Sequence, residues 1–205
     1  MRTHSIELQP MKRILYLIIC LFPILSTLAQ DTIPESKLSI KDACIRTKLE
    51  NGKYNAFTGY AYTAYRNGRK KTLIPFVNGI CSGKGIGYYK NGNLEWTTEN
   101  KYGVLDGAQT WHYKNGKLKA IYYERNGLIC GHDTTYYETG QLKSIRNWEN
   151  SKLEGEATEY YTTGEVSSKV NYKNGILNGD GIYYEKDGKT RNTYTYVNGK
   201  RSNKE

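Results

Sequence analysis

From Gly59 onward the chain alternates apolar and polar residues in short runs closed by glycine, as in GYYKNGNL at Gly87 to Leu94. Such runs carry the two-residue period of a half-buried strand, whose neighbouring side chains point to opposite faces. The adjacent tyrosines Tyr88 and Tyr89 therefore serve opposite sides of one sheet.

The pattern recurs with a fixed period. Gly59, Gly83, Gly107, Gly131, Gly155 and Gly179 stand 24 residues apart, six units without an insertion. Self-similarity of this kind marks a repeat architecture. A second glycine follows nine residues after each, at Gly68, Gly92, Gly116, Gly140, Gly164 and Gly188. A third comes eleven further on, at Gly79, Gly103, Gly127, Gly175 and Gly199, with Ser151 as the single lapse. Most of these follow asparagine, and Asn-Gly is the strongest short hairpin signal because both residues tolerate the positive φ of a type I′ turn. Two turns per unit predict two strands per unit. The 9 and 11 residues between turns leave no room for a crossover helix, so neighbouring strands must run antiparallel. No proline after Pro75 interrupts them. The expected fold is all-β: an elongated single-layer antiparallel meander of β-hairpins built from six 24-residue repeats.

Counting from the first glycine of each unit and folding at two-residue turns, position +6 faces +11 and +17 faces +22. These four share an apolar side: Tyr65, Tyr89, Tyr113, Tyr137 and Tyr161 at +6; Leu94, Leu118, Leu142 and Val166 at +11; Phe76, Trp148, Tyr172 and Tyr196 at +17; Leu105, Ile129, Leu153 and Leu177 at +22. Position +5 then points the other way, with Tyr88, His112, Tyr136, Tyr160 and Tyr184 facing +12 residues that include Glu95, Lys119, Lys143, Ser167 and Arg191. In the last unit Glu185 replaces the +6 tyrosine, as suits a terminal repeat. With strands about 4.8 Å apart the six units span roughly 55 Å. That places Cys81 and Cys130 about 20 Å apart, beyond the roughly 7 Å limit for a disulfide, while a Cys44–Cys81 bridge stays possible in principle.

The N-terminus changes the picture of where the protein works. Lys12-Arg13, the uncharged run Ile14 to Gln30, and Thr27 and Ala29 at −3 and −1 have the layout of a secretory signal peptide. The chain thus divides into a signal peptide (1–29), a linker and N-terminal cap (30–58) and a repeat array (59–205). Within 30–58 only the run around Leu38-Ser39-Ile40 reads as strand. Removing Arg2, Lys12, Arg13 and Glu7 from the 30 basic and 20 acidic residues leaves a net +8. No like-charged run exceeds Arg69-Lys70-Lys71, which argues against nucleic acid and for general attraction to acidic surfaces. Three cysteines would remain after cleavage, so at least one is a free or intermolecular thiol and the chain is no disulfide scaffold.

The pattern G-x-x-x-Y-Y-x-x-G-x-L followed by N-G-x-L-x-G resembles the MORN repeat in its bacterial variant form. The clearest copies are GKGIGYYKNGNL, GHDTTYYETGQL, GEATEYYTTGEV and NGILNGDGIYYEKDG, and the resemblance spans residues 59–203. It implies a string of β-hairpins in one elongated sheet. For function it implies a non-catalytic interaction or membrane-proximal element, and bacterial proteins of this variant are often classed as antitoxins of toxin–antitoxin pairs.

Chemical centres are scarce. His132-Asp133 has the types of a general-base pair, but adjacent strand residues point apart and no nucleophile is set against them. Gly83-Lys84-Gly85-Ile86-Gly87 precedes a strand, whereas a phosphate loop precedes a helix. No ligand cluster suggests a metal, and no cofactor or catalytic residue is expected. The candidate ligand-binding residues are the +5 column and the basic residues beside it: Tyr88, His112, Tyr136, Tyr160, Tyr184, Lys119, Lys143 and Arg191. Aromatic and arginine side chains are enriched at protein interfaces. The expectation is an exported, periplasmic or envelope-associated protein that is not an enzyme and binds another protein, such as a toxin. The alternative is an envelope module whose tyrosines stack on polysaccharide or whose basic residues meet acidic lipid.

Overall fold

The computed structural model describes residues 32–35, 38–41, 44–48 and 54–202. The expected signal peptide lies outside the described residues, as do the side chains of 38–41, 44–48 and 54.

Each unit contributes a forward strand and a longer return strand. The forward strands include β5 (Gly59–Ala64), β8 (Gly83–Tyr88), β11 (Gly107–His112) and β16 (Gly155–Tyr160). The return strands are β6 (Lys70–Val77), β9 (Leu94–Lys101), β12 (Leu118–Arg125), β14 (Leu142–Glu149), β17 (Val166–Lys173) and β19 (Thr190–Val197). The short strands β7 (Ile80–Cys81), β10 (Val104–Leu105) and β15 (Lys152–Leu153) lead into the next forward strand across a break. In β13 (Leu128–Tyr136) and β18 (Ile176–Tyr184) the two segments run on as one. Together with β20 (Lys200–Ser202) they form an antiparallel meander in chain order, the all-β hairpin array the period predicts. One departure makes the 17-stranded sheet mixed: β1 (Thr32–Pro34) lies parallel on β5, with Ile33 opposite Ala61. The run at Leu38-Ser39-Ile40 is β2 (Leu38–Lys41), which joins β3 (Cys44–Lys48) and β4 (Tyr54–Ala56) in a separate three-stranded sheet.

The two turns of a unit are different objects. At the second, Asn78 and Gly79 both have positive φ (50° and 79°) and Val77 pairs with Ile80, the two-residue type I′ hairpin expected from Asn-Gly. At the first, only the glycine has positive φ, as at Gly68 (81°). There the Gly68 N–H bonds the Tyr65 carbonyl (2.9 Å) and the Tyr65 N–H bonds the Arg69 carbonyl (2.8 Å). This is a three-residue loop, a type I turn closed by a left-handed glycine.

That one extra loop residue corrects the expected pairing on either side of the first turn. Position +5 pairs with +11, not +12: Tyr88 with Leu94, His112 with Leu118, Tyr136 with Leu142, Tyr160 with Val166 and Tyr184 with Thr190. A register shift leaves +12 as the extra residue, and +4 then pairs with +13. At the second turn the expected +17/+22 pairing holds, as in Trp148–Leu153 and Tyr172–Leu177.

A single sheet has little interior. Among the described residues the buried apolar side chains are Phe57, Ala61, Ala157 and Val170. The most covered column is +2, where Ala61, Gly85, Gln109, Asp133, Ala157 and Gly181 are all buried. Stability in such an array comes from interfaces between neighbouring units, summed along the chain.

Candidate binding surfaces

The +6 tyrosines are structural ties. The hydroxyls of Tyr65, Tyr89, Tyr113, Tyr137 and Tyr161 each donate to the carbonyl of the next unit's +5 residue, at 2.7–2.8 Å. At the other end of the unit, the third-glycine N–H bonds back to the preceding unit's +22 carbonyl, as Gly127 does to Leu105 at 2.7 Å. Both edges of the sheet are thereby laced from unit to unit.

The +12 residues stand over these tyrosines. The Nζ atoms of Lys71, Lys119 and Lys143 lie 5.9, 5.6 and 5.8 Å from the ring centroids of Tyr65, Tyr113 and Tyr137. In the last unit Arg191 pairs with Glu185 at 3.4 Å. In the second, the Tyr89 hydroxyl is pushed above its ordinary value by burial first and by the Glu95 carboxylate next. The basic residues read from the sequence as flanking the +5 column thus belong with +6. Tyr88, His112, Tyr136 and Tyr160 are half-buried opposite aliphatic +11 residues, and Tyr184 is half-buried opposite Thr190. His112 carries a buried Nδ1 without a hydrogen-bond partner, and burial lowers its pKa.

One face carries a continuous cross-strand row at +4 and +13. Pair by pair it runs Gly87–Trp96–Trp111–Ala120–Thr135–Ser144–Glu159. Its middle is a groove of about 250 Å³, floored by Ala120, Thr135 and Ser144 and walled by Lys119, Lys143 and Arg146. Arg146 is anchored by buried Asp133, which accepts from Arg146 Nε (3.1 Å), Arg146 Nη2 (2.9 Å) and Trp148 Nε1 (2.9 Å). Asp133 is therefore already engaged, while its neighbour His132 is exposed.

A second surface follows the type I′ turns. Among the described residues nine large apolar side chains are exposed, and seven of them sit at these turns: Val77, Ile80, Tyr102, Val104, Leu128, Ile176 and Val197. Several face a basic residue across the hairpin: Val104 opposite Lys101, Leu128 opposite Arg125, Ile176 opposite Lys173 and Val197 opposite Lys200. Sequence reasoning missed this edge because it weighed aromatic columns. The signal was present in the residue after each third glycine, which reads Ile80, Val104, Leu128, Lys152, Ile176 and Lys200.

Cys81 and Cys130 are half-buried free thiols, and burial raises the Cys81 pKa. Among the described residues no cluster of potential metal ligands occurs, and no helix is long and apolar enough to cross a membrane.

Hairpins of fixed period, laced at both edges into one open sheet, define a repeat protein of the binding-platform type. Residues 105–126, 131–150 and 153–174 match the MORN repeat variant family, so the middle of the chain carries three MORN-variant repeats. Repeats of this family mediate binding to proteins or membranes. No curated protein matches the chain. Among solved structures it is similar to the GtfA/B complex bound to UDP and GlcNAc, at 16% identity and a TM-score of 0.20 over 66% of this chain and 24% of that one. It is also similar to an alternansucrase in complex with isomaltononaose, at 14% identity and a TM-score of 0.18 over 75% of this chain and 15% of that one. The chain therefore spans a quarter or less of either structure, and at such TM-scores neither bears on its fold or function.

Proposed function

We propose that this is an exported, non-catalytic protein that docks a protein partner along its type I′ edge, in the manner of an antitoxin or immunity element. Export is inferred from the signal-like pattern of residues 1–29. The antitoxin or immunity role is inferred from the MORN-variant resemblance, and an envelope site suits an immunity protein better than a cytoplasmic antitoxin.

The observation that carries the reading is the gathering on one edge of seven of the nine large apolar side chains exposed among the described residues. Scattered apolar residues are ordinary on a soluble surface, whereas apolar side chains gathered along one edge and rimmed by polar groups mark an interaction site. These side chains lie at five of the six turns, over a length on the order of 50 Å, with the Glu149–Lys152 turn as a polar break between them. Lys101, Arg125, Lys152, Lys173 and Lys200 against Glu149 make its rim basic. The partner that fits is a protein with an extended apolar ridge bordered by carboxylates, and inhibition is steric.

The test is affinity capture from the native envelope fraction, comparing the wild-type chain with Val104→Asp/Leu128→Asp. One stoichiometric protein that survives moderate salt and is lost from the variant, at unchanged melting temperature, supports the edge. Equal capture by both moves the partner elsewhere, and co-sedimentation with lipid vesicles in place of any protein overturns the protein-binding reading.

A further inference from the structure

We propose that the cross-strand row from Trp111 to Glu159, with the groove over Ala120, Thr135 and Ser144 in its middle, binds an acidic polysaccharide. It lies about six residues along the strands from the type I′ edge, roughly 20 Å away, and does not depend on that edge.

The row begins on an aromatic step beside the groove. Trp96 lies flat over its cross-strand partner Gly87, where an added Cβ would stand 2.2 Å from the indole Nε1 and Cε2. Glycine at 87 is therefore what lets the ring approach the sheet. Trp111 pairs with Trp96 on the next strand at a centroid distance of 6.5 Å and a tilt of 46°, and it keeps 37% of its surface in solvent. From Trp111 the floor drops to Ala120, Thr135 and Ser144 and ends at exposed Glu159. That path crosses four strand spacings, about 19 Å. The hydroxyls of Thr135 and Ser144 lie 2.7 Å apart and retain further hydrogen-bonding capacity.

Each part suits a sugar chain. The electron-rich face of an exposed indole attracts the weakly positive C–H bonds on one side of a pyranose ring. Hydroxyls and a carboxylate below it can accept and donate to the ring hydroxyls. Lys119 and Lys143 rest on tyrosine rings and make no salt bridge among the described residues, which leaves their ammonium groups available to anionic substituents. A peptide fits poorly, because crossing the strands on a face would leave its backbone groups without ladder partners.

The experiment is affinity electrophoresis of the purified chain in gels containing alginate, a polyuronate, or dextran, a neutral glucan, with polyglutamate as soluble competitor. Retardation is expected in alginate and not in dextran. It should fall at least fivefold in Trp111→Ala and in Lys119→Glu/Lys143→Glu, and stay unchanged in Val104→Asp. If Trp111→Ala melts lower than wild type, the surface lysine pair decides. Absence of retardation in alginate, equal retardation in dextran, competition by polyglutamate as strong as by soluble alginate, or wild-type binding by the lysine variant would each overturn the proposal. Failure here leaves the protein-binding edge standing, since the edge is tested by different variants and a different readout.

Discussion

The hydroxyl of Tyr137 donates a 2.7 Å hydrogen bond to the carbonyl of Tyr160, twenty-three residues ahead and one unit along the sheet. Four equivalent bonds repeat the tie, so the tyrosine at +6 belongs to the interface between units as much as to its own hairpin. In a one-dimensional array such nearest-neighbour terms set cooperativity.

Tyr137→Phe keeps the ring under Lys143 and removes only the tie. The expected cost is about 1 kcal/mol, that of one net hydrogen bond. The hydroxyl of Tyr136 makes no hydrogen bond among the described residues, so Tyr136→Phe should cost almost nothing. The Ala variants should follow the same order, with Tyr137→Ala lowering the melting temperature more than Tyr136→Ala. Urea titrations of the four variants check this, and equal losses at 136 and 137 would refute the tie.

The two turn types make opposite demands on the residue before their glycine. Asn126 sits at φ 51° in a type I′ turn, and a β-branched residue there is forced into the left-handed region. Asn126→Thr should cost about 1–2 kcal/mol. Asn67 precedes the first-turn glycine without positive φ, and Thr139 and Thr163 already occupy the equivalent place. Asn67→Thr should therefore stay within about 0.5 kcal/mol. Thermal melts of both variants distinguish the turns without any structural work.

Those same threonines were the legible clue to the first turn. Period, strand count, antiparallel order and the second-turn register all follow from glycine spacing. Asn-Gly itself serves both a two-residue I′ loop and a three-residue loop closed by a left-handed glycine, so the dipeptide alone does not set the loop length. Thr139-Gly140 and Thr163-Gly164 do, because a β-branched residue avoids positive φ. Missing that one residue displaced Lys119 and Lys143 from the tyrosines they cover. The parallel addition of β1 had no sequence signal, since it depends on a contact that no local pattern encodes, whereas Arg146 opposite Asp133 is a +15/+2 pair within one hairpin that the glycine count already places face to face.

Gly87 is a packing requirement of another kind. An alanine methyl there would overlap the Trp96 indole, so Gly87→Ala must lift the ring off the sheet. Overpacking of this type costs about 1–3 kcal/mol. A shift in tryptophan emission with a lower melting temperature is expected, and an unchanged emission spectrum would show that Trp96 does not lie on Gly87 in solution.

Two groups tilt stability at opposite ends of the pH scale. His112 is held below its ordinary value of 6.5 by burial. The unfolded chain then binds the proton more readily, so the stability it contributes is complete above pH 6.5 and is lost as pH falls from there through the lower folded value. Tyr183 is pushed up to about 12, by burial first and by its 3.0 Å contact with the Tyr196 hydroxyl next. Its folded form keeps the proton longer, so its contribution is complete below the ordinary value of 10 and disappears as pH rises through about 12. His112→Gln should flatten the acid limb of a melting-temperature profile and leave the alkaline limb unchanged. Tyr183→Phe should do the reverse, and a variant that flattened both limbs would mean that neither residue titrates independently of the sheet.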